Sequence, residues 1–147
     1  MRWVRNVAFI AAGLGAWGAG SAGSEAAGMA QYRWKNRPLV VFAPAQADAR
    51  LRLQRADVAS NKAGFSERDM VVIYVIGDQV VADLGPAPGL SARALRQRYG
   101  VGTEDFRAIL VGKDGGAKRT SPEPLTAKVL FATIDAMPMR RDEVRRR

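Results

Sequence analysis

Residues 106–119 constrain the fold of this chain more than any other stretch of the sequence. They contain a continuous apolar run at residues 108–111, which predicts a strand that is buried on both faces. Asp114-Gly115-Gly116 follows and permits the positive φ of a tight turn, after which a short basic strand begins. A glycine-rich phosphate loop is the alternative, but strand residues and prolines stand where such a loop requires a helix. We therefore predict a β-hairpin.

The first half of the chain predicts a strand, a helix and a second strand. Residues 39–42 are all apolar and indicate a central strand that ends at Pro44. Residues 45–63 have apolar side chains at the helical period, and Gly64 is suited to cap the end of that helix. Residues 70–76 are β-branched and aromatic, which strongly favours a strand. A strand–helix–strand unit of this kind gives two parallel strands through a right-handed crossover.

The second half adds shorter elements around the predicted hairpin. Residues 77–89 form an irregular segment with a possible strand at 80–84. Residues 92–99 follow a serine and precede a glycine, which favours a short helix. A last helix is predicted at 125–136, and Pro138 is expected to end it. Together these elements predict an α/β domain of three layers, with a mixed sheet of about four to five strands and helices on both faces.

The N-terminus has the three parts of a secretory signal peptide. Arg2 and Arg5 supply positive charge, residues 7–17 form a short apolar core, and small residues suited to signal peptidase follow. The core is short and interrupted by glycine, although an uncleaved anchor is the alternative. We predict a signal peptide at residues 1–22, with cleavage somewhere within 20–28. The mature protein is then exported, periplasmic or extracellular, and without a stable membrane span.

The composition excludes several kinds of chemistry. The chain has no cysteine and no histidine, so disulfides, thiol redox chemistry, thiolate or imidazole metal sites and histidine-dependent catalysis are excluded. No cofactor is expected. One domain is predicted at residues 31–143, followed by a charged tail at 144–147, and the sequence leaves the oligomeric state open.

The charge of the chain indicates an acidic partner. The formal net charge is +9 at pH 7, which favours an anionic ligand or an envelope protein, although solubility alone would also explain dispersed charge. Nucleic acid is disfavoured by the predicted export signal. The binding hypothesis places six basic residues on one surface around the loop at residues 43–48: Arg37, Arg107, Lys113, Lys118, Arg140 and Arg141.

A hydrolase or transferase that works through carboxylates and lysine is the alternative function. Asp48, Asp114 and Asp135 are the carboxylates considered for acid–base chemistry. No spacing in the sequence pairs any two of them, so a non-enzymatic binding module is the preferred prediction.

Several segments resemble domain of unknown function 4174, a family of exported bacterial proteins with related domains in secreted vertebrate matrix proteins. The resemblance spans about residues 31–143 and rests on residues 32–42, 67–69, 110–118 and 134–141. It implies a thioredoxin-like, peroxiredoxin-related fold. In that fold Asp48 and Leu51 fall near the positions of the catalytic threonine and cysteine, and Arg107 falls near the peroxide-binding arginine. Because the cysteine is absent, the resemblance implies no peroxidase activity.

Overall fold

The structure, a computed structural model, describes residues 28–147. The predicted signal peptide at residues 1–22 lies outside the described residues. Within the part of the chain that is described, no helix is both long and apolar enough to cross a membrane.

Five strands form a single mixed sheet. They are β1 (Arg37–Ala43), β2 (Met70–Ile76), β3 (Gln79–Leu84), β4 (Arg107–Val111) and β5 (Ala117–Ser121). Their order across the sheet is β3-β2-β1-β4-β5. The pair β1–β2 is parallel, and the other three pairs are antiparallel. Strand β1 is central and buried along its whole length, as its unbroken apolar run predicts.

Helices cover both faces of this sheet. They are α1 (Ala49–Ser60), α2 (Lys62–Glu67), α3 (Ala92–Tyr99), α4 (Ala127–Asp135) and α5 (Pro138–Arg145). Apolar side chains of α1, α2 and α4 pack on the face that carries Leu39 and Val41. Apolar side chains of α3 and of the segment before β1 pack on the face that carries Val40 and Phe42. The predicted three-layer α/β, thioredoxin-like architecture is confirmed.

The hairpin at the end of the sheet is also confirmed. The Gly112 N–H donates to the Gly116 carbonyl over 2.9 Å, and Gly115 has a φ of +86°. Only glycine adopts such a backbone at little cost, which explains its place in the turn. The chain continues into β5 rather than into a helix, so this turn lacks the helix N-terminus that cradles a phosphate.

The single helix predicted at residues 45–63 is wrong, because the chain forms two helices there. Asn61 separates α1 from α2, and its side-chain amide donates to the Asp57 carbonyl over 2.7 Å. An asparagine that hydrogen-bonds the backbone in this way competes with regular helix. Gly64 therefore lies inside α2 instead of capping a helix. Its missing side chain matters for another reason, since a Cβ there would lie 2.5 Å from the ring of Phe131.

The C-terminus differs from its prediction in a similar way. Pro138 does not simply end a helix at 125–136, because it is also the first residue of α5. Proline is favoured at that position, where its missing N–H has no helical partner in any case. Helix α5 runs to Arg145, so half of the predicted tail at 144–147 continues a helix. This helix brings Arg140 and Glu143 back onto the domain.

Candidate functional site

The six basic residues predicted as one surface lie at different places on the sheet. Arg107 pairs with Phe42 near the end of β1, whereas Arg37 begins that strand. Five residues of strand correspond to about 17 Å, at roughly 3.3 Å per residue. The two side chains also alternate onto opposite faces of the sheet, Arg37 with Leu39 and Arg107 with Ile109. Arg37 and Arg107 therefore do not converge on the 43–48 loop.

At the end of β1 that carries Arg37, one carboxylate lies close to three cations. Glu143 on α5 accepts from both terminal nitrogens of Arg37, over 3.1 and 3.3 Å, and from the Lys113 Nζ over 2.6 Å. The Arg140 Nη1 lies 3.6 Å from the same carboxylate. We call these four residues the Glu143 cluster. It joins the start of β1, the end of β4 and the last helix.

Further carboxylates compensate the rest of this positive charge. Asp69 accepts from Lys113 over 2.9 Å, and Glu67 accepts from Arg140 over 3.2 Å. Arg37 and Arg140 are only 1% and 2% exposed. An external anion would have to compete with these carboxylates, and breaking a buried ion pair is strongly destabilising. Arg37, Lys113 and Arg140 therefore hold the fold together, and the binding role predicted for them stays a prediction.

The pKa of Glu143 agrees with a structural role for the Glu143 cluster. Partial burial raises the pKa of this carboxyl, but hydrogen bonds from Lys113 and Arg37 outweigh that effect and lower the pKa from 4.5 to about 2. The group therefore stays ionised at neutral and mildly acidic pH.

The two other basic residues near this end differ in their surroundings. Lys118 is an ion-pair partner of Asp114, with the Nζ and Oδ2 atoms 2.7 Å apart. Arg141 is exposed and makes no ion pair within residues 28–147. Both side chains remain accessible from solvent.

At the opposite end of the sheet, Arg96 joins three segments of the chain through hydrogen bonds. This side chain is 7% exposed and donates to the carbonyls of Ala43, Gly77 and Gly102, the shortest bond being 2.7 Å to Gly102. Its guanidinium carbon also lies 5.7 Å from the ring centroid of Phe42. Sequence reasoning missed Arg96, because backbone carbonyls leave no charge pattern by which such a residue could be found.

The Arg96 side chain lies beside a shallow crevice of about 680 Å³ at the carboxyl ends of β1 and β2. This is the edge where open α/β sheets usually bind ligands. Its lining includes Pro44, Arg93, Gln97 and Glu104. The crevice therefore has mixed charge, and the six predicted residues are absent from its lining.

Asp48, which follows this edge, acts as a helix cap. Its carboxylate accepts from the backbone N–H groups of Arg50 and Leu51 and from the Arg50 guanidinium. The hydrogen bond from Arg50 lowers the pKa of Asp48. The carboxylate thus caps α1, near the position where the family resemblance places a catalytic threonine.

Replacing Asp48 by Ala is expected to lower the free energy of unfolding by about 1 kcal/mol, the usual cost of losing an N-cap. Urea unfolding followed by circular dichroism measures this change. Asp48→Asn keeps the cap oxygen and is the matched control. A loss of several kcal/mol in both variants would show that Asp48 does more than cap the helix.

The three carboxylates considered for acid–base catalysis are all paired with cations. Hydrogen bonds from Arg50, Lys118 and Arg68 lower the pKa values of Asp48, Asp114 and Asp135, in that order. A general acid at neutral pH requires a raised pKa, so these residues are poorly suited to that role. Among residues 28–147, no group of three or more acidic side chains is arranged to hold a metal ion.

Comparison with known proteins identifies the family. The model of the family described as "Domain of unknown function (DUF4174)" matches residues 28–143. The chain belongs to the DUF4174 family. Its similarity to zebrafish (Danio rerio) coiled-coil domain-containing protein 80 is 27% identity over 133 residues, which covers 79% of this chain and 15% of that protein. The chain thus spans a small fraction of that relative's length.

A solved structure of a thioredoxin-fold protein from Helicobacter pylori is also similar to this chain. The TM-score is 0.48 at 16% sequence identity, with 77% of this chain and 80% of that protein covered. The family description carries no activity, so the function of this DUF4174 domain has to be inferred from its own residues.

Arg107 is the predicted residue that stays nearest the carboxyl end of β1. In the DUF4174 domain it is partly buried, and its Nε is buried without a hydrogen-bond partner among residues 28–147. It lies across from Phe42, while Phe42 also contacts the Tyr99 ring at a centroid distance of 6.1 Å. The domain has no thiol beside this arginine, because the chain has no cysteine.

Proposed function

We propose that this DUF4174 domain is an exported, non-redox binding module whose partner in the cell envelope is anionic. The observation that carries the proposal is the distribution of charge. The chain has 23 Lys and Arg against 14 Asp and Glu, and half of those carboxylates are already paired with lysine or arginine within residues 28–147. An excess of positive charge of this kind favours association with polyanions.

Ion pairs within the domain compensate the negative charge of half of the carboxylates. Seven carboxylates accept from lysine or arginine: Asp48, Glu67, Asp69, Asp114, Asp135, Asp142 and Glu143. Exposed cations that make no ion pair within residues 28–147 include Arg33, Lys35, Arg52, Arg93, Arg98, Arg119 and Arg141. These cations remain available to an external partner, unlike the buried ones.

The absence of redox chemistry supports a binding role. Thiol–disulfide exchange and peroxide reduction by a thioredoxin-like domain need a thiolate, and this chain has no cysteine. At the edge where the thiol would lie, Arg96 donates hydrogen bonds that join the ends of β1 and β2 to the loop before β4.

The purified protein is expected to bind immobilised sulfated dextran at low salt and to pass through neutral dextran. Any basic protein binds a cation exchanger, so a sulfopropyl resin of the same charge density is the control. A specific site predicts elution from sulfated dextran at distinctly higher NaCl than from the resin. Elution from both materials at the same NaCl concentration would show that net charge alone causes the binding, and this result would contradict a dedicated binding module.

A further inference from the structure

A second, smaller cleft lies on the face of the sheet covered by α3. It encloses about 250 Å³ between the segment before β1, the end of α3 and the hairpin turn. Arg33, Arg98, Pro38, Gly112, Asp114 and Gly115 are among its lining residues. None of the six residues predicted from the sequence lines it. At about 30 Å³ per water molecule, the cleft has room for one acidic group and part of a sugar ring.

Two arginines approach this cleft from different elements. Arg33 precedes β1 and Arg98 belongs to α3, and both are exposed and outside the ion pairs formed within residues 28–147. Arg33 lies across the turn, where a Cβ on Gly115 would be 3.4 Å from its Nε. The glycine thus leaves room for the guanidinium.

The carboxylate in the lining does not cancel this charge. Asp114 is bonded to the Lys118 Nζ over 2.7 Å and to the Gly116 N–H over 3.0 Å. Its negative charge is therefore balanced by a lysine that is itself accessible to solvent. The cleft keeps the positive charge of two guanidinium groups, which form strong paired hydrogen bonds with carboxylate or sulfate oxygens.

Trp34 stands next to the cleft in a strained conformation. Its φ is +64° and its side chain is 62% exposed. A bulky residue is rarely found in this backbone region, and burial of the indole does not offset the strain. The backbone is held there by a 2.7 Å hydrogen bond from the Trp34 N–H to the Lys113 carbonyl. The Arg33 guanidinium carbon lies 5.7 Å from the indole centroid, so one arginine connects the aromatic surface with the cleft.

We infer that this cleft and Trp34 bind an acidic saccharide. One carboxylate or sulfate group lies between Arg33 and Arg98, and the apolar face of the sugar ring packs on the indole. This inference rests on the proposed function and names its site and ligand class. Single-stranded nucleic acids bind to a series of aromatic side chains, whereas Trp34 is the one exposed aromatic among residues 28–147. A single aromatic beside a small cationic cleft suits one sugar ring better.

Fluorescence of Trp34 provides a direct test in the full chain. Trp3→Phe and Trp17→Phe leave Trp34 as the sole tryptophan. Titration with oligogalacturonate or with short sulfated dextrans is expected to change the Trp34 emission until the change saturates. Neutral dextran is expected to leave the emission unchanged. Arg33→Gln/Arg98→Gln removes two charge-assisted contacts and is expected to weaken binding about tenfold or more. Lys62→Gln/Lys128→Gln removes the same charge from the exposed surfaces of α2 and α4, on the other face of the sheet, and is expected to change affinity less than about twofold.

A third variant separates binding from folding. Trp34→Gly removes the indole and the backbone strain together, so it is expected to raise the urea midpoint while weakening saccharide binding. Isothermal titration calorimetry measures this affinity, because the variant has lost its fluorophore. A lowered midpoint with unchanged affinity would show that Trp34 is structural.

The remaining outcomes separate this site from the broader proposal. If Arg33→Gln/Arg98→Gln binds normally, the site is overturned and the anion-binding function stands. If the wild-type chain binds none of the acidic saccharides, both are overturned. If oligo(dT) of equal charge changes the Trp34 emission with equal affinity, the saccharide class is overturned.

Discussion

Replacing Glu143 by Gln is expected to lower the free energy of unfolding by about 3 kcal/mol, the lower end of what removing one partner from a buried ion cluster costs. The variant leaves Arg37, which is 1% exposed, and Lys113, which is 9% exposed, without the carboxylate that they share. Glu143 is itself 21% exposed, so water replaces part of the loss. Urea unfolding followed by circular dichroism measures the change.

Asp142→Asn is the matched control for this experiment. Asp142 is adjacent in the sequence, but its ion pair with Arg145 is exposed, with side-chain exposures of 53% and 74%. Its replacement is expected to change stability by less than about 0.5 kcal/mol. Equal effects of the two variants would show that the Glu143 cluster does not hold α5 on the domain.

The same experiment has a definite pH dependence. The pKa of Glu143 is about 2 in the folded protein against an ordinary value of 4.5, so the unfolded chain takes up the proton first as the pH falls. The stability contributed by Glu143 is therefore complete above pH 4.5 and is lost as the pH falls towards 2. The difference between the wild type and Glu143→Gln is expected to shrink over that range.

Replacing Arg96 by Ala is expected to lower the free energy of unfolding by roughly 3 kcal/mol, because carbonyls of three loops lose a charged donor. The bonds run to Ala43, Gly77 and Gly102, and the contact with the Phe42 ring is lost as well. Amide hydrogen exchange is expected to become faster in the loops after β1, after β2 and before β4, because these loops share Arg96.

Two control variants define what Arg96 contributes. Arg96→Lys keeps the charge but cannot place donors at three separate carbonyls, so it is expected to recover only part of the stability. Arg93→Ala removes an exposed arginine from the same helix and is expected to cost less than about 0.5 kcal/mol. Full recovery in Arg96→Lys would show that charge alone, rather than the shape of the guanidinium, connects the loops.

The sheet could be predicted from the sequence because its strands are marked locally. The apolar residues of β1, β2 and β4 lie in unbroken runs, and Gly115 marks the turn before β5. Burial on both faces produces such runs regardless of distant contacts. The helix boundaries were harder to predict, because a single hydrogen bond from Asn61 and the place of Pro138 at the start of α5 decide them.

The candidate binding residues could not be predicted as reliably, for a physical reason. An isolated arginine in a sequence looks the same whether it faces solvent or a distant carboxylate. Arg37 and Glu143 are 106 positions apart, and Lys113 and Glu143 are 30 apart. Only the fold brings these residues together, so the sequence does not show which cations are buried and which are exposed. Arg33 and Arg98 gave no signal beyond a basic residue near an aromatic one.

These observations divide the basic residues of the DUF4174 domain into two groups. Arg37, Lys113, Arg140 and Arg96 are buried and hold the fold together. Exposed arginines such as Arg33 and Arg98 carry the excess charge from which we propose binding to an acidic partner. The first group sets stability and its response to acid, and the second sets affinity and its response to salt.

The dissociation constant for short sulfated dextrans, measured against NaCl concentration, tests this account most directly. With two guanidinium contacts, the account predicts that log Kd rises linearly with log [NaCl] and that affinity falls about tenfold between 50 and 200 mM salt. An affinity that is independent of salt, or no measurable binding at 50 mM, would contradict it.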